Sequence, residues 1–355
     1  MSTHRPFQDR VARRVMRTVG ALPARLQRML GGRPIRVDGQ ELHPEIQLAL
    51  KLLHLTAGRT FEQLPLSQGR AQISSEAWIF ASRMPVSTVR SLTIPGSAGS
   101  LPARLYAPSG LNGPSALLVY FHGGGWVLGD LESADSVCRF LAVRAGLTVL
   151  SIDYRLAPEH PFPAGVEDAV AAHRYAVEHA ASLGVDPAAI GVGGESAGGN
   201  LAAVVSQITH AGPGPAPAFQ LMFFPVTDLS AKSASYRLFS DGFFLTEAQM
   251  DWYRDHYLSD PSAVTDPRVS PLLAEDLAGL PPAYIAVAGF DPLRDEGEAY
   301  ARRLEAAGVP VTLRRHSGLI HGVVNATGVG RTGREALTEA AAALREGLTA
   351  RAGSR

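Results

Sequence analysis

The sequence predicts an α/β fold in which a mostly parallel eight-stranded sheet is covered by helices on both faces. From residue 86 onward, short apolar runs of strand length alternate with longer segments whose apolar residues recur at helical spacing. Most of these short runs are continuously apolar, which is typical of strands buried on both faces. Repeated strand–helix units are expected to form one parallel sheet, because each helix returns the chain to the same end of the sheet.

The predicted strands and helices follow one another along the chain. The first two strands, VSTVRSLTIPG and SLPARLYAP, alternate with period two around a glycine-containing turn, so we expect a hairpin. The other six strands are ALLVYFHG, GLTVLSIDY, AIGVGGE, FQLMFFPV, PAYIAVAGF and VPVTLRRH. The helical patterns are ESADSVCRFLAVRAG, GVEDAVAAHRYAVEHAASLG, GGNLAAVVSQITHAG, EGEAYARRLEAAG and GREALTEAAAALREGLTAR.

One segment, residues 226–275, interrupts this alternation. It contains no convincing strand and includes LTEAQMDWYRDHYL, which has a helical pattern. Lids over active sites are commonly placed in such insertions, so we predict a helical cap. The chain then divides into N-terminal helices that form part of the cap (1–60), a first half of the core (61–225), the cap insertion, and a second half of the core (276–355). A linker-like stretch, LTAGRTFEQLPLSQGRAQISSEA, follows residue 54.

The first 36 residues differ from the rest because they contain nine arginines and one acidic residue, Asp9. Apolar residues recur there at steps of three or four: Phe7, Val11, Val15, Val19, Leu22 and Leu26. They define one apolar stripe on a helix that we expect to break near Pro23. One interpretation is a helix that lies on a membrane surface. We favour the other, a helix packed on the protein with its arginines in solvent, because the stripe lacks Trp and has few bulky residues.

Composition excludes several functional classes. The 33 basic residues balance the 33 acidic residues, so we expect no nucleic-acid partner. The single cysteine, Cys138, lies in a helical pattern and cannot form an intrachain disulfide, and no Cys/His cluster suggests a metal site. No apolar run approaches the ~20 residues that span a bilayer, and the N-terminus lacks the apolar region of a secretory signal. We therefore expect a cytoplasmic protein.

The stretch Gly194-Glu195-Ser196-Ala197-Gly198 fits the pattern G-x-S-x-G. In this pattern a nucleophilic serine occupies a tight turn between a strand and a helix, and the glycines leave room for neighbouring elements. The context agrees, because the predicted strand AIGVGG precedes the motif and the helical NLAAVVSQI follows it. The motif alone is weak, since a glycine-rich loop with Ser196 as helix N-cap has the same sequence. A phosphate-binding loop is less consistent, because no lysine follows.

A second glycine run, His122-Gly123-Gly124-Gly125-Trp126, follows the predicted strand ALLVYF. Three consecutive glycines are entropically costly in a plain flexible loop, which is the alternative interpretation. They allow backbone N–H groups to point into a cavity, where such donors stabilise the negative charge of a carbonyl oxygen during acyl transfer. We expect His122 and Trp126 to shape this loop rather than to react.

A serine nucleophile needs a base, and the base needs an acid that orients it. Asp291 follows the predicted strand PAYIAVAGF, and His321 lies in the loop after the next strand. Both are expected at the carboxyl ends of strands, where the ligand sites of open α/β sheets form. The order Ser, Asp, His is the one found in α/β hydrolases. The competitors Asp295 and Glu296 lie on the following helix and should point away, and His316 alternates within the strand and should be structural.

Taken together, HGGGW, SIDYRLAPEHPFPAGVED, GGESAGGNLA, FDPLRDEG and IHGV resemble the hormone-sensitive-lipase-like (family IV) bacterial esterases. The resemblance covers roughly residues 86–350. It implies an α/β-hydrolase fold with a cap built from the N-terminal helices and the helical insertion. It also implies hydrolysis of short- to medium-chain carboxylic esters without a cofactor. The segment around Tyr154, Arg155 and Glu159 resembles the family's structural loop beside the site, and we assign it no chemical step.

The matching motifs imply a role for each site residue. Ser196 corresponds to the nucleophile, His321 to the general base and Asp291 to its orienting acid. The implied oxyanion donors are backbone N–H groups of Gly123, Gly124, Gly125 and Ala197, with Gly124 foremost. Candidate residues of the substrate pocket are Trp126, Phe243, Phe244, Trp252 and Tyr253, and plain packing within the cap is the alternative for the four cap residues.

Two departures from the family pattern stand out. Glu195 occupies a position where the family usually has Asp or Thr, and IHGV replaces the commoner HGF, which removes an aromatic ring after the base.

Neither departure removes a catalytic group, so we predict a serine carboxylesterase acting on a small-molecule ester. An amidase or deacetylase with the same triad remains an alternative. A non-catalytic receptor on this fold is less consistent, because all three triad positions are filled. The sequence leaves open whether the protein is a monomer or a homodimer.

Overall fold

Two sheets are present in the residues that the computed structural model describes, which are 6–56 and 58–352. A small antiparallel pair is formed by β1 (Arg36–Val37) and β2 (Gln40–Glu41). The central sheet contains β3 (Thr88–Gly96), β4 (Gly99–Ala107), β5 (Ser115–Phe121), β6 (Thr148–Ile152), β7 (Val185–Glu195), β8 (Gln220–Phe223), β9 (Ala283–Phe290) and β10 (Val311–Ile320). The eight predicted strands are confirmed.

The central sheet has the spatial order β10-β9-β8-β7-β5-β6-β4-β3. All neighbours from β10 to β6 are parallel, whereas β4 pairs antiparallel with both β3 and β6. The register aligns the carboxyl ends of the parallel strands: Phe121 lies opposite Gly194, and Glu195 lies opposite Phe223. Residues that directly follow these strands therefore meet along one edge of the sheet, here called the carboxyl edge.

The continuous apolar character of β5 follows from its position in the middle of the sheet. Leu117, Val119 and Phe121 contribute to the core on one face, and Leu118 and Tyr120 contribute to the core on the other. All five side chains are fully buried. A strand covered on both faces gains burial energy at every position, so it shows no alternation of polar and apolar residues.

Helices cover both faces of the sheet. The helices of the α/β core are α5 (Leu131–Ala145), α6 (Ala164–Glu178), α7 (Ala180–Leu183), α8 (Ala197–Ala211), α11 (Arg294–Ala306) and α12 (Thr332–Ala352). Helices α5 and α12 pack together on one face, whereas α6, α8 and α11 contribute to the core on the other. Each of these helices lies between strands or after the last strand, as the sequence predicts.

Four helices precede the central sheet: α1 (Phe7–Gly20), α2 (Ala24–Gly31), α3 (Pro44–Thr56) and α4 (Leu66–Phe80). The predicted break is confirmed, because Pro23 is the N-cap of α2. The prediction of a linker after residue 54 is wrong, since α4 occupies most of that stretch. Its sequence lacks a clear apolar stripe, and tertiary packing stabilises it: α4 lies against α1 and α5, and its Arg70 donates to the carbonyls of Val127 and Ala157.

The segment 226–275 is described throughout and contains helical elements but no strand. They are α9 (Ala234–Leu238), α10 (Glu247–Tyr257) and the 3-10 turns Pro261–Thr265 and Pro271–Leu273. A capping box at Thr246, with Gln249 at the third helical position, begins α10. Phe61, just before α4, stacks on Tyr253 at 5.3 Å between ring centroids. In the parts of the chain that the structure describes, no helix combines the length and apolarity that crossing a bilayer requires.

Candidate active site

Ser196 occupies a strained turn between β7 and α8. Its backbone angles are φ 56° and ψ −119°, a region that costs a non-glycine residue about 1–3 kcal/mol. Neighbouring elements hold the turn: the Ser196 N–H donates to the Phe223 carbonyl at 2.9 Å, and the Asn200 N–H donates to the Ser196 carbonyl at 3.0 Å. Within the described residues, the Ser196 hydroxyl makes no capping bond to α8. A plain N-cap therefore does not account for this serine.

The glycines on both sides of Ser196 allow β5 to approach the turn. A Cβ atom at Gly194 would lie 2.3 Å from the Phe121 carbonyl oxygen, and one at Gly198 would lie 2.0 Å from the same atom. Both distances are shorter than real Cβ contacts, so neither position accepts a side chain without moving the end of β5. The G-x-S-x-G spacing thus reflects close packing of two neighbouring strand ends.

Asp291 and His321 form a buried hydrogen-bonded pair. The Nδ1 of His321 lies 2.8 Å from Oδ2 of Asp291, and Oδ1 of Asp291 accepts the Leu293 N–H at 2.9 Å. Asp291 is completely buried. The competing acids face other elements, because Asp295 accepts the Ser235 N–H and Glu296 accepts the Thr227 N–H.

The end of β8 connects the serine turn to this pair. The carbonyl of Phe223 accepts the Ser196 N–H, and the ring of the next residue, Phe224, lies 4.6 Å from the His321 ring between centroids. Phe224 has a positive φ of 35° and donates its N–H to the Ala286 carbonyl at 2.6 Å. Two consecutive residues at the end of β8 therefore contact the backbone of Ser196, the candidate nucleophile, and the ring of His321, the candidate base. Sequence reasoning did not single out Phe223 or Phe224.

The glycine run lies beside the serine turn, but its three N–H groups are not equivalent. The N–H of Gly123 donates to Oε1 of Glu195 at 2.9 Å, so it is not available to an oxyanion. This corrects the prediction for Gly123. Gly124 and Gly125 have φ values of 109° and 60°, and the Gly124 carbonyl accepts the N–H groups of Val127 and Leu128. The loop is therefore a closed turn held by its own backbone.

Ala197 is the first residue of α8. The N–H groups in the first turn of a helix have no intrahelical acceptor, and the positive end of the helix dipole lies there. Its N–H is thus suited to bind a negatively charged oxygen beside Ser196.

Glu195, the departure from the family pattern, is a buried carboxyl group between two elements of the site. Its Oε2 accepts a short hydrogen bond from the Tyr120 hydroxyl, and its Oε1 accepts the Gly123 N–H. Burial raises the pKa of Glu195 to about 7, against the lowering effect of these hydrogen bonds. The carboxyl group joins the end of β7 to the glycine run. Tyr120, whose partner is 75 residues away, was not predicted from the sequence.

The segment after β6 holds the other side of the glycine run. The Tyr154 hydroxyl donates to the His122 carbonyl at 2.8 Å, and the two rings stack at 4.4 Å between centroids. The Ala157 N–H donates to the Trp126 carbonyl at 2.9 Å. Arg155 is fixed in turn by Asp168, with its Nε 2.8 Å from Oδ2. These contacts give the DYRLAPEHPFPA segment a positioning role at the loop.

The five candidate pocket residues occupy different environments. Trp126 is only 1% exposed and stacks on Tyr257, and Phe243 packs against Phe239 and Phe290, so both belong to packing between the cap and the core. Phe244 is 43% exposed, and its ring would lie 3.2 Å from a Cβ atom at Gly322, the residue after His321.

The remaining two candidates belong to α10. The ring of Tyr253 is so close to Gly125 that a Cβ atom there would lie 2.1 Å from it. Trp252 contacts Phe61 edge to face at 5.5 Å between centroids. The segment just before α4 and helix α10 therefore meet beside the glycine run.

Comparison with known proteins shows the family and the fold of the chain. A family model described as the alpha/beta hydrolase fold matches residues 118–325. Carboxylic ester hydrolase LipN of Mycobacterium tuberculosis is 46% identical over 341 residues, which cover 92% of this chain and 89% of that protein. The ethyl acetate hydrolase of Pseudomonas putida is 35% identical over 317 residues, covering 86% and 99% of the two chains. The solved structure of an ester hydrolase from the Lake Arreo metagenome, complexed with a derivative of bipyridine phosphonate, matches with a TM-score of 0.83 at 43% identity, covering 86% and 98%.

A parallel sheet with a serine turn at the end of one strand and an acid–histidine pair at the ends of two others defines the class of α/β hydrolases. The chain belongs to this family, within its hormone-sensitive-lipase-like group, as the resemblance of its motifs implies. It is an enzyme of the carboxylic ester hydrolase type, and its substrate is a small-molecule ester.

Proposed function

We propose that the enzyme hydrolyses short- to medium-chain carboxylic esters through an acyl-enzyme formed on Ser196. The observation that supports this most strongly is the buried hydrogen bond of 2.8 Å between His321 and Asp291, on the same edge of the sheet as the strained serine turn. A carboxylate only accepts hydrogen bonds, so the proton of the imidazole is placed on Nδ1. The Nε2 atom is then the nitrogen that accepts the proton of Ser196.

The reaction proceeds in two steps. In the first, Ser196 Oγ attacks the ester carbonyl while His321 Nε2 takes its proton, and His321 then returns this proton to the departing alcohol. In the second, His321 removes a proton from water, the resulting hydroxide attacks the acyl-enzyme, and the carboxylic acid leaves as Ser196 regains its proton. Asp291 keeps the imidazole in the productive tautomer and stabilises the imidazolium that forms in each step.

Each attack on the carbonyl carbon forms a tetrahedral intermediate with a negatively charged oxygen. The N–H groups that bind this oxygen are those of Gly124, Gly125 and Ala197. Gly123 is left out because its N–H is bonded to Glu195. A donor of this kind contributes about 3–4 kcal/mol to transition-state stabilisation, because it is aligned before charge develops. Glu195 and Tyr154 act as positioning residues, since each anchors the loop through its backbone.

The cap limits the acyl group, and three of its residues lie where that group would extend. Tyr253 covers Gly125, Phe244 covers Gly322, and Trp252 contacts both Phe61 and Tyr253. Aromatic rings this close to both the glycine run and the histidine loop leave little room for a long chain. The relative from Pseudomonas putida named ethyl acetate hydrolase, a name that specifies a two-carbon acyl group, supports a short acyl preference.

The test is hydrolysis of 4-nitrophenyl esters of increasing acyl length by the full chain and by two variants. Ser196→Ala should lose about four to six orders of magnitude in kcat, since it removes the nucleophile. Ser206→Ala is the matched control. Ser206, like Ser196, is a buried serine, but it lies within α8 and its hydroxyl donates to the Ala202 carbonyl. Ser206→Ala should retain activity within about threefold, with a modest stability loss.

Two results would reject the proposal. The first is activity of Ser196→Ala comparable to that of Ser206→Ala, which would rule out Ser196 as nucleophile. The second is faster hydrolysis of a 4-nitroanilide than of the 4-nitrophenyl ester with the same acyl group, which would make the enzyme an amidase.

A further inference from the structure

Helix α1 packs on α3 and α4, as the interpretation favoured from the sequence expects, and Val19 of its apolar stripe is half-buried. The first three residues of the stripe face solvent instead. Phe7, Val11 and Val15 are 72%, 44% and 45% exposed. The helix packs through a different face, on which Met16 is buried and Gly20 lies so close to Gly330 that a Cβ atom would be 2.5 Å from its nitrogen. Residues at positions i, i+4 and i+8 therefore form a row of apolar side chains in solvent.

Helix α2 repeats this arrangement. Leu26, Met29 and Leu30, at positions i, i+3 and i+4, are all exposed. The opposite face is anchored, because the side-chain amide of Gln27 is buried and donates to the carbonyl of Gly20 at 3.3 Å. We call the six exposed apolar residues of α1 and α2, Phe7, Val11, Val15, Leu26, Met29 and Leu30, the N-terminal surface.

Arginines accompany the N-terminal surface on both helices and in the residues that follow. Arg10, Arg14, Arg25, Arg28 and Arg33 are exposed, and within residues 6–56 and 58–352 none of them makes a salt bridge or a side-chain hydrogen bond. Arg13 and Arg17 differ, because both donate to the Ala81 carbonyl and so secure α1 to the end of α4. Arg5 lies outside the described residues.

The charge of the chain is strongly polarised. The first 36 residues have nine arginines and one acid, while the whole chain has 33 basic and 33 acidic residues, so the remainder carries an excess of eight acids. A negatively charged surface therefore attracts the N-terminal helices and repels the rest of the protein. This orients the molecule with the N-terminal surface toward that charge.

We propose that the N-terminal surface binds the face of an anionic lipid bilayer. An amphipathic helix lies in such an interface when apolar side chains enter the acyl boundary and arginines stay at the headgroups, which is the arrangement on α1 and α2. A second copy of this chain is a poorer partner, since two equally basic surfaces repel. Nucleic acid would bind the arginines but leave Phe7, Met29 and their neighbours exposed to water.

Packing connects this surface with the cap. Asp9 of α1 accepts a hydrogen bond of 2.6 Å from Ser75 of α4. Just before α4, Phe61 contacts Trp252 and Tyr253 of the cap. Docking through α1 and α2 would thus hold the cap near the bilayer, where apolar esters accumulate. Binding itself does not depend on the proposed hydrolysis, so the two proposals can fail separately.

The test is co-sedimentation of the full chain with vesicles of phosphatidylcholine containing about 30% phosphatidylserine, compared with pure phosphatidylcholine. We expect at least about tenfold stronger binding to the anionic vesicles, lost when salt rises from about 0.05 M to about 0.5 M. Phe7→Ser/Val11→Ser/Val15→Ser should weaken binding about tenfold or more, because it removes the inserted side chains. Arg10→Gln/Arg14→Gln should weaken it by a similar factor.

Matched controls remove equivalent groups elsewhere. Val89→Ser/Val143→Ser/Leu238→Ser replaces three other exposed apolar residues, and Arg90→Gln/Arg237→Gln removes two other exposed arginine charges. Both should bind like the parent chain, and all four variants should hydrolyse a water-soluble acetyl ester at the parent rate. The proposal is overturned by equal binding to the two vesicle types, by undiminished binding of the triple α1 variant, or by tighter binding to an oligonucleotide. A change from dimer to monomer in the α1 variant without vesicle binding by the parent would also overturn it.

Discussion

The carboxyl edge and the cap are held together in different ways. At the carboxyl edge, the proposed reacting groups follow directly after strand ends, and backbone hydrogen bonds from neighbouring strands fix them, as for Ser196 and Phe223. In the cap, aromatic side chains contact one another, as for Phe61 with Trp252 and Tyr253. Backbone geometry tolerates little change, whereas aromatic packing can be adjusted by substitution. The chemistry should therefore reside in the edge, and the choice of substrate in the cap.

Among substitutions that leave Ser196, His321 and Asp291 in place, the largest expected effect at the edge is that of Gly124→Ala. Gly124 has φ 109°, and a Cβ atom would lie 2.3 Å from the Leu128 carbonyl oxygen, so the loop must move. We expect kcat to fall about 100- to 1000-fold, as when an oxyanion donor is lost. Gly184→Ala is the control, because it has φ 72° but open space around it. It should cost stability with unchanged kcat, measured by ester hydrolysis and urea unfolding. Equal kcat losses in both variants would show that the loop geometry has no special role.

A smaller effect is expected for Glu195→Gln, which tests how the edge is tied together. The pKa of Glu195 is raised to about 7 in the folded protein, above its ordinary value, so the folded state holds this proton more tightly than the unfolded state. The contribution of Glu195 to stability is thus fully present below about pH 4.5 and is lost as pH rises to about 7, a change of about 3 kcal/mol. Glutamine does not titrate, so Glu195→Gln should gain stability relative to the parent as pH rises through this window.

Urea unfolding at pH 5 and pH 8 measures this difference, with Glu159→Gln as the control. Glu159 pairs with Arg70 at the surface, and the hydrogen bond from Arg70 lowers its pKa. Its variant should not show the gain between these two pH values. A parallel pH dependence in the parent and Glu195→Gln would refute the prediction. The pH profile of kcat for the two enzymes shows whether the same proton also affects the glycine run.

The smallest effects are expected in the cap, where two adjacent phenylalanines should behave differently. Phe244→Ala should change the preference between acetyl and hexanoyl esters by about three- to tenfold with little loss of stability, because the ring is partly exposed beside Gly322. Phe243→Ala should cost about 1–2 kcal/mol of stability with little change in preference, because its half-buried ring packs on Phe239 and Phe290. Thermal unfolding and kcat/KM on both esters distinguish the pair. The reverse pattern would place Phe243 in the pocket.

Prediction succeeded where the signal is local along the chain. Continuous apolar runs marked the buried strands, and Asp291 and His321 directly follow the ends of β9 and β10, as expected. Prediction failed where the outcome depends on a distant partner. Helix α4 was taken for a linker because its stability derives from α1 and α5, and Gly123 was taken for a donor because its acceptor, Glu195, lies 72 residues away.

The sequence by itself determined the alternation of strands and helices, the order of Ser196, Asp291 and His321, and the amphipathic pattern of α1. These follow from periodicity and from glycine spacing, which act over a few residues. Only the tertiary structure decided which face of α1 is covered and which carboxyl group holds the glycine run. The spacing of apolar residues along a helix is the same whether that face packs on the protein or remains exposed, so the spacing does not specify what covers the face. Long-range packing decides this, and it leaves Phe7, Val11 and Val15 exposed.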